Sequence, residues 1–172
     1  MTKRELQTSE YNEFYSGYLS QLSDDTELVS GFEANSKTVL DFFQSIPHEK
    51  LEYRYDEGKW SIKEVFQHLI DTERVFQFRC FHIGRHDKTP LPGFEQNDYI
   101  APSKADAKSI ETLITEFKTV RQSFIDLLNG LTNEDLNQVG IANGGNTSAR
   151  AIAFINLGHY LHHINITKER YL

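Results

Sequence analysis

The sequence predicts an all-α protein, a four-helix bundle with a long crossover between its second and third helices. Two observations carry this. Four long stretches place apolar residues at mixed three- and four-residue spacing, with capping and stop residues between them, and one proline-rich segment interrupts the series. With 172 residues, 38% hydrophobic and 12% aromatic, the chain has enough apolar material to bury one core, so wholesale disorder is excluded and residues 1–172 are expected to form one domain.

Residues 1–25 are expected to form an arm packed on the bundle, a short helix or an extension rich in aromatics (Tyr11, Phe14, Tyr15, Tyr18). The first bundle helix is expected from about Thr26 to Ser45, with Leu28, Phe32, Val39, Phe42 and Phe43 on its apolar side and Pro47 ending it. The second has the clearest start, because Ser61 followed by Glu64 makes a capping box; it should reach about His82. Gly84 to Ser103 then holds Pro90, Pro92, Gly93 and Pro102 and reads as a connection without secondary structure. Segments of that length are usually lids or crossovers between distant helices. The third helix is expected over about Ala105–Asn129 with Gly130 as terminator, followed by a short capped turn at Thr132–Asn137. Gly140–Thr147 reads as a turn-rich loop whose glycine spacing matches neither dinucleotide nor P-loop patterns. The last helix should span about Ser148 to Tyr171.

The formal net charge is −7, with 18 Lys plus Arg against 25 Asp plus Glu, and no basic block occurs. That argues against nucleic acid, whose phosphates call for a basic footprint. Neither a signal-type apolar segment nor a run of about 18 apolar residues is present, so no membrane span is expected and a cytoplasmic protein is the default. Cys80 is the only cysteine against seven histidines, so any metal chemistry must use His, Asp or Glu.

Placing residues at about 100° per step sorts the histidines. In the last helix Ile152, Ile155, His159, His163 and Ile166 share a stripe roughly 80° wide. His159 and His163 are thus stacked one turn apart on the face that should meet the core. Two imidazoles on a buried stripe need compensation, which ligation of one ion supplies, with stacked structural histidines as the alternative. In the second helix His68 lies roughly 120° from the centre of the main apolar face, beside Thr72, Val75 and Arg79, as on a helix that packs on one side and lines a cavity on the other, or as a solvent-facing histidine of an ordinary amphipathic helix. His162 reads as a flanking residue. His82 and His86 repeat the spacing, but Gly84 stands between them where the helical pattern fails. Trp60 is expected to pack the bundle end, and Glu73, on the packing face, to be a buried partner for an arginine.

At these residues the sequence resembles the DinB/YfiT-like superfamily of four-helix-bundle metalloenzymes. The matching segments are Gly58-Lys59-Trp60-Ser61-Ile62-Lys63-Glu64-Val65 running into His68-Leu69-Ile70-Asp71-Thr72-Glu73-Arg74, then Pro90-Leu91-Pro92-Gly93-Phe94, Gly158-His159-Tyr160-Leu161-His162-His163, and Glu169-Arg170-Tyr171-Leu172. The resemblance implies a metal site made of one histidine from the second helix and two from the last, which fall on His68, His159 and His163. It also implies a homodimer. The apolar residues Phe154, Leu157, Leu161 and Ile164 on the far side of the last helix would suit either another helix or a partner subunit.

Three neutral imidazoles leave coordination positions open, as at a catalytic site, and suit zinc or nickel. Relatives that use low-molecular-weight thiols make a thiol-dependent S-transferase acting on a small electrophile the first functional expectation. Arg79, on the His68 face, is a candidate for a cosubstrate carboxylate or for a surface ion pair. A metal-dependent hydrolase, with Glu73 or Asp71 as base, and a non-catalytic metal-binding, stress-associated protein are the alternatives.

Overall fold

The computed structural model describes all 172 residues. A single helical turn, α1 (Ser16–Leu19), precedes the long helices α2 (Leu28–Ser45) and α3 (Ile62–Gly84); the short α4 (Asn97–Ser103), then α5 (Ile110–Asn129), the short α6 (Asn133–Leu136), a hairpin of β1 (Val139–Ala142) and β2 (Gly145–Ser148), and α7 (Ala149–Arg170) follow. Three of the four long helices, α3, α5 and α7, start where side-chain oxygens can take up orphan N–H groups. Ser61 Oγ accepts from Glu64 N at 3.1 Å while Glu64 Oε2 accepts from Ser61 N at 2.9 Å, and Ser109 and Ser148 cap α5 and α7 by accepting from the backbone N–H of Thr112 and Ala151. Each such cap contributes about 1 kcal/mol.

The topology follows from which residues meet. Gln67 pairs with Glu116, Glu73 with Arg121 and Gln77 with Ser123, both numbers rising together, so α3 and α5 are parallel. Tyr171 meets Trp60, His163 meets His68 and His159 meets Phe76, so α7 runs antiparallel to α3. Gly31 faces Leu157 and Phe42 faces Lys168, so α2 and α7 are parallel. Each of α2 and α3 packs on both α5 and α7, which leaves α2 diagonal to α3 and α5 diagonal to α7, with α3 and α5 as consecutive neighbours. A parallel α3–α5 pair cannot be joined by a tight turn. The chain must travel back along a helix of 23 residues, about 35 Å, and the long segment after Gly84 does so.

The interior consists of two apolar clusters. One holds Phe32, Phe76, Phe124, Phe154 and Leu157; the other holds Phe43, Phe66, Phe117, Tyr160 and Ile164. Arg121 and Glu73 lie at their junction, 2% and 0% exposed in their side chains. Nε and Nη2 of Arg121 donate to the two Glu73 oxygens at 2.7 and 3.0 Å, and Nη1 donates to Asn35 Oδ1 at 2.9 Å. The guanidinium also lies 4.8–5.0 Å from the rings of Phe32, Phe117 and Tyr160. Glu73 therefore has its arginine, as expected.

The arm is packed on the bundle. Leu28 N donates to Met1 O and Lys3 N to Thr26 O, and Glu10 receives Ser148 Oγ at 2.7 Å and Arg150 Nε at 2.8 Å at the start of α7. It then crosses α7 at Gly158, which brings Tyr18 beside the helix.

Several expectations need correction. The third bundle helix starts at Ile110, not near Ala105, because Ala105–Ala107 forms a separate 3₁₀ turn and Ser109 is the cap. The proline-rich crossover is not without secondary structure: it carries α4 and a parallel bridge from Leu91 to Ala142. Gly140–Thr147 is not a loop but most of the hairpin, turned by Asn143 and Gly144, both with positive φ (53° and 76°), the pattern of a two-residue type I′ turn. Phe154, Leu157 and Ile164 are buried within the chain, Leu157 against α2, so that face offers no argument for a dimer. No helix is long and apolar enough to cross a membrane.

Candidate metal centre

Antiparallel packing of α3 on α7 brings the three sequence-selected histidines together. His68 and His159 are each 3% exposed, His163 is half-buried, and one ring nitrogen from each lies within 4.8 Å of the others. Nε2 of His68 stands 3.1 Å from Nε2 of His159, and the His163 ring centroid is 4.6 Å from that of His159 and 5.0 Å from that of His68. Burial pushes His68 down to about 4. Burial, reinforced by the neighbouring imidazoles, holds His159 and His163 well below the ordinary histidine range. All three are therefore neutral near pH 7, the form that ligates.

The donor set fits a divalent transition metal. Three neutral imidazoles converge in a desolvated spot where their mutual contacts cannot occupy every lone pair, and a cation would. Zn–N bonds of 2.0–2.1 Å at a tetrahedral ion place ligand nitrogens about 3.3 Å apart, close to the separation already present between His68 and His159. Thr72 Oγ1, one turn along α3, lies 3.4 Å from His68 Nδ1 and holds the far side of that ring.

Aromatic rings enclose the centre. Trp60 is centred 4.8 Å from His68; its carbonyl accepts from the Tyr171 hydroxyl at 2.9 Å, so it closes the bundle end as expected and also walls the site. Tyr18 from the arm stands edge-on to His159 and His162 at 5.1 Å, and Phe76 lies 6.1 Å from His159. His162 flanks the site, with burial lowering its pKa. His82 and His86 do not converge: the first contacts the Thr89 carbonyl at 3.0 Å and the second Asp135 at 2.7 Å. Cys80 is fully buried in the apolar core, and burial pushes its thiol up to about 12.

A cavity of about 220 Å³ leads to His159, walled by Tyr15, Tyr18, Phe76 and Phe94, with Arg79 and Thr72 also in its lining. Arg79 is not a surface ion pair. It is 4% exposed, its Nη2 donates to the Pro92 carbonyl at 2.9 Å, the Phe94 ring lies 5.6 Å from its guanidinium, and no carboxylate lies within salt-bridge distance. Of the carboxylates considered as bases, Glu73 is engaged by Arg121, and Asp71 accepts from Gln67 and Arg74 at 3.1 and 2.9 Å. Glu95, an exposed residue of the crossover, is the carboxylate that does line the cavity.

The roles of Tyr18, Trp60 and Thr72 at the centre escaped the sequence reading. Thr72 was signalled by its four-residue offset from His68, and Tyr18 by a glycine at 158, where the arm needs room beside the site.

Comparisons with known proteins bear on the fold and the family. A protein of Oceanobacillus iheyensis named "Putative metal-dependent hydrolase OB0413" is 25% identical over 150 residues, spanning 84% of this chain and 86% of that protein. The solved structure of Bacillus subtilis YfiT, described as a probable metal-dependent hydrolase with an unusual four-helix bundle topology, superposes with a TM-score of 0.68 over 96% of this chain and 90% of its own, at 15% identity. The sequence profile of the DinB superfamily matches residues 32–166, the segment that contains the three histidines and most of the bundle, and the chain belongs to that superfamily.

Proposed function

We propose that the chain is a divalent-metal-dependent enzyme, with zinc or nickel held by His68, His159 and His163, that transfers a low-molecular-weight thiol to a small electrophile. The observation that carries this reading is the convergence of three neutral imidazoles, two of them fully buried, at a point where His159 lines a cavity of about 220 Å³. A metal so held lowers the pKa of a bound thiol or water and polarises a carbonyl. The protein's own side chains then have separate tasks. Tyr18, Phe76 and Trp60 exclude water from the histidines, Thr72 holds the His68 ring, and Arg79 receives a carboxylate of the cosubstrate. An uncompensated buried guanidinium is destabilising, and an incoming carboxylate removes that penalty. The distribution of carboxylates favours transfer over hydrolysis, because Glu73 and Asp71 are engaged elsewhere and a thiolate nucleophile needs no protein base.

Hydrolysis is the second reading, favoured by the naming of both relatives and by Glu95, which lines the same cavity and could deprotonate water. A homodimer belongs to the proposal as well, with exposed Phe78 and Phe81 on α3 as the apolar surface available for it.

The test begins with protein purified without an affinity tag and reconstituted with zinc or nickel. About one equivalent per chain is expected, falling in His159→Ala; binding well below half an equivalent in the parent protein would remove the centre. Turnover of a model electrophile that requires an added thiol and is lost in His159→Ala selects transfer. Ester or amide cleavage without thiol selects hydrolysis, and metal binding without either leaves a binding protein.

A further inference from the structure

The buried side-chain nitrogen and oxygen atoms that lack a hydrogen-bond partner are Nδ2 and Oδ1 of Asn156, Nδ1 of His159 and the hydroxyl of Tyr160. All belong to one turn of α7, at positions i, i+3 and i+4, which share a helix face. Asn156 is 0% exposed, and leaving both ends of an amide unpaired in an apolar interior is unfavourable. A leucine of similar size would fill the space without that penalty. The contrast with Asn35 is direct, since that buried amide donates to Leu157 O and accepts from Arg121. The two fully enclosed ligand histidines also differ. His68 has Thr72 beside its Nδ1 at 3.4 Å, whereas His159 has nothing at its own Nδ1.

We propose that Asn156 is the positioning residue for His159: its Oδ1 accepts the Nδ1 proton of the imidazole, directly after a turn of the side chain or through one buried water, and so keeps the Nε2 lone pair facing the metal. The Tyr160 hydroxyl, the remaining polar atom of the turn, faces the Glu73–Arg121 pair. Histidine ligands depend on such outer partners for ring orientation and tautomer, and their loss typically lowers metal affinity about 10–100-fold. The inference rests on the proposed metal centre and adds to it a residue that does not touch the ion.

The test measures zinc affinity by competition with a chromophoric chelator, using the full chain, for the parent protein and for Asn156→Leu and Asn156→Asp. Asn156→Leu is expected to bind zinc about 10–100-fold more weakly while the metal-free protein melts no lower than the parent. Asn156→Asp keeps an acceptor at the same place and is expected to stay within about threefold of the parent or to bind more tightly. In long-range proton–nitrogen spectra of the zinc-loaded parent, His159 should carry a slowly exchanging proton on Nδ1. Unchanged affinity in Asn156→Leu overturns the inference, as does an equal loss in both variants accompanied by a lower melting temperature, which marks a packing role. Should the leucine variant not fold, the parent spectrum decides, because Nδ1 rather than Nε2 as the ligand atom of His159 is incompatible with the assignment. A parent that takes up no zinc removes the metal centre itself, whereas a zinc-binding parent indifferent to residue 156 removes only the role of Asn156.

Discussion

The carbonyl oxygen of Tyr18 lies so close over the Cα of Gly158 that a methyl group there would stand 2.0 Å from it. Both partners are backbone at the point of contact, so neither can yield by changing rotamer. The contact sets the height at which the arm crosses α7, and with it the position of the Tyr18 ring against His159.

Gly158→Ala therefore opposes two effects. Alanine gains about 1 kcal/mol of helix propensity over glycine, but overpacking against a fixed carbonyl costs about 1–3 kcal/mol and more where nothing can relax. A net loss of about 2 kcal/mol is expected, read as a lower melting temperature together with easier proteolysis within residues 1–25. A rise in melting temperature would show that the arm is not seated there.

The Glu73–Arg121 pair gives a second expectation. Removing one member strands a buried charge, so Arg121→Met should cost about 3–5 kcal/mol in urea unfolding. Replacing both, as Glu73→Leu with Arg121→Met, should cost less than the sum of the single changes. Glu73→Gln should leave zinc stoichiometry unchanged, as befits a residue that ties helices rather than one that serves the metal.

The histidine cluster makes the metal-free protein acid-sensitive. His68 has its pKa lowered in the folded state to about 4 from an ordinary 6.5, so between those values the unfolded chain binds the extra proton and stability rises with pH. Stability should thus be full above pH 6.5 and decline as pH falls toward 4, by about 3 kcal/mol from His68 alone at about 1.4 kcal/mol per unit. His159 and His163 act in the same direction. Denaturation of chelator-treated protein at several pH values checks this, and His68→Gln should flatten the slope.

Arg79→Met tests the cavity. A charged hydrogen bond to a ligand carboxylate contributes about 1.5–3 kcal/mol, so the KM for a carboxylate-bearing thiol should rise about 10–100-fold while an uncharged thiol is unaffected. The melting temperature should not fall, because the substitution removes a buried charge that has no carboxylate partner. Equal effects on both thiols would count against the carboxylate role.

Much of this was legible in local pattern. Ser61 with Glu64, Pro47 and Gly130 mark helix ends through chemistry that reaches only a few residues, and the stripe holding His159 and His163 is a property of one helix. The hairpin was missed although Asn143-Gly144 carries its signal, because the adjoining Gly145 made the whole stretch resemble a loop. Arg121 was invisible for a different reason: a buried arginine is defined by its partner, and Glu73 sits on another helix 48 positions away. The parallel run of α3 and α5 was likewise hidden, since it depends on which faces meet across the bundle. Only the length of the crossover hinted at it.

That crossover does more than return the chain to the far end. A bundle in which α3 and α5 were antiparallel could join them with a few residues and leave the cavity beside α3 and α7 bare. Here the returning strand lays Phe94 and the Pro92 carbonyl over Arg79 and anchors itself on the hairpin, where Asn143 N donates to Leu91 O at 3.0 Å. Helix direction thus supplies the cavity with its roof, and changes in the sequence of residues 85–104 can alter what the cavity admits without touching the helices that hold the histidines.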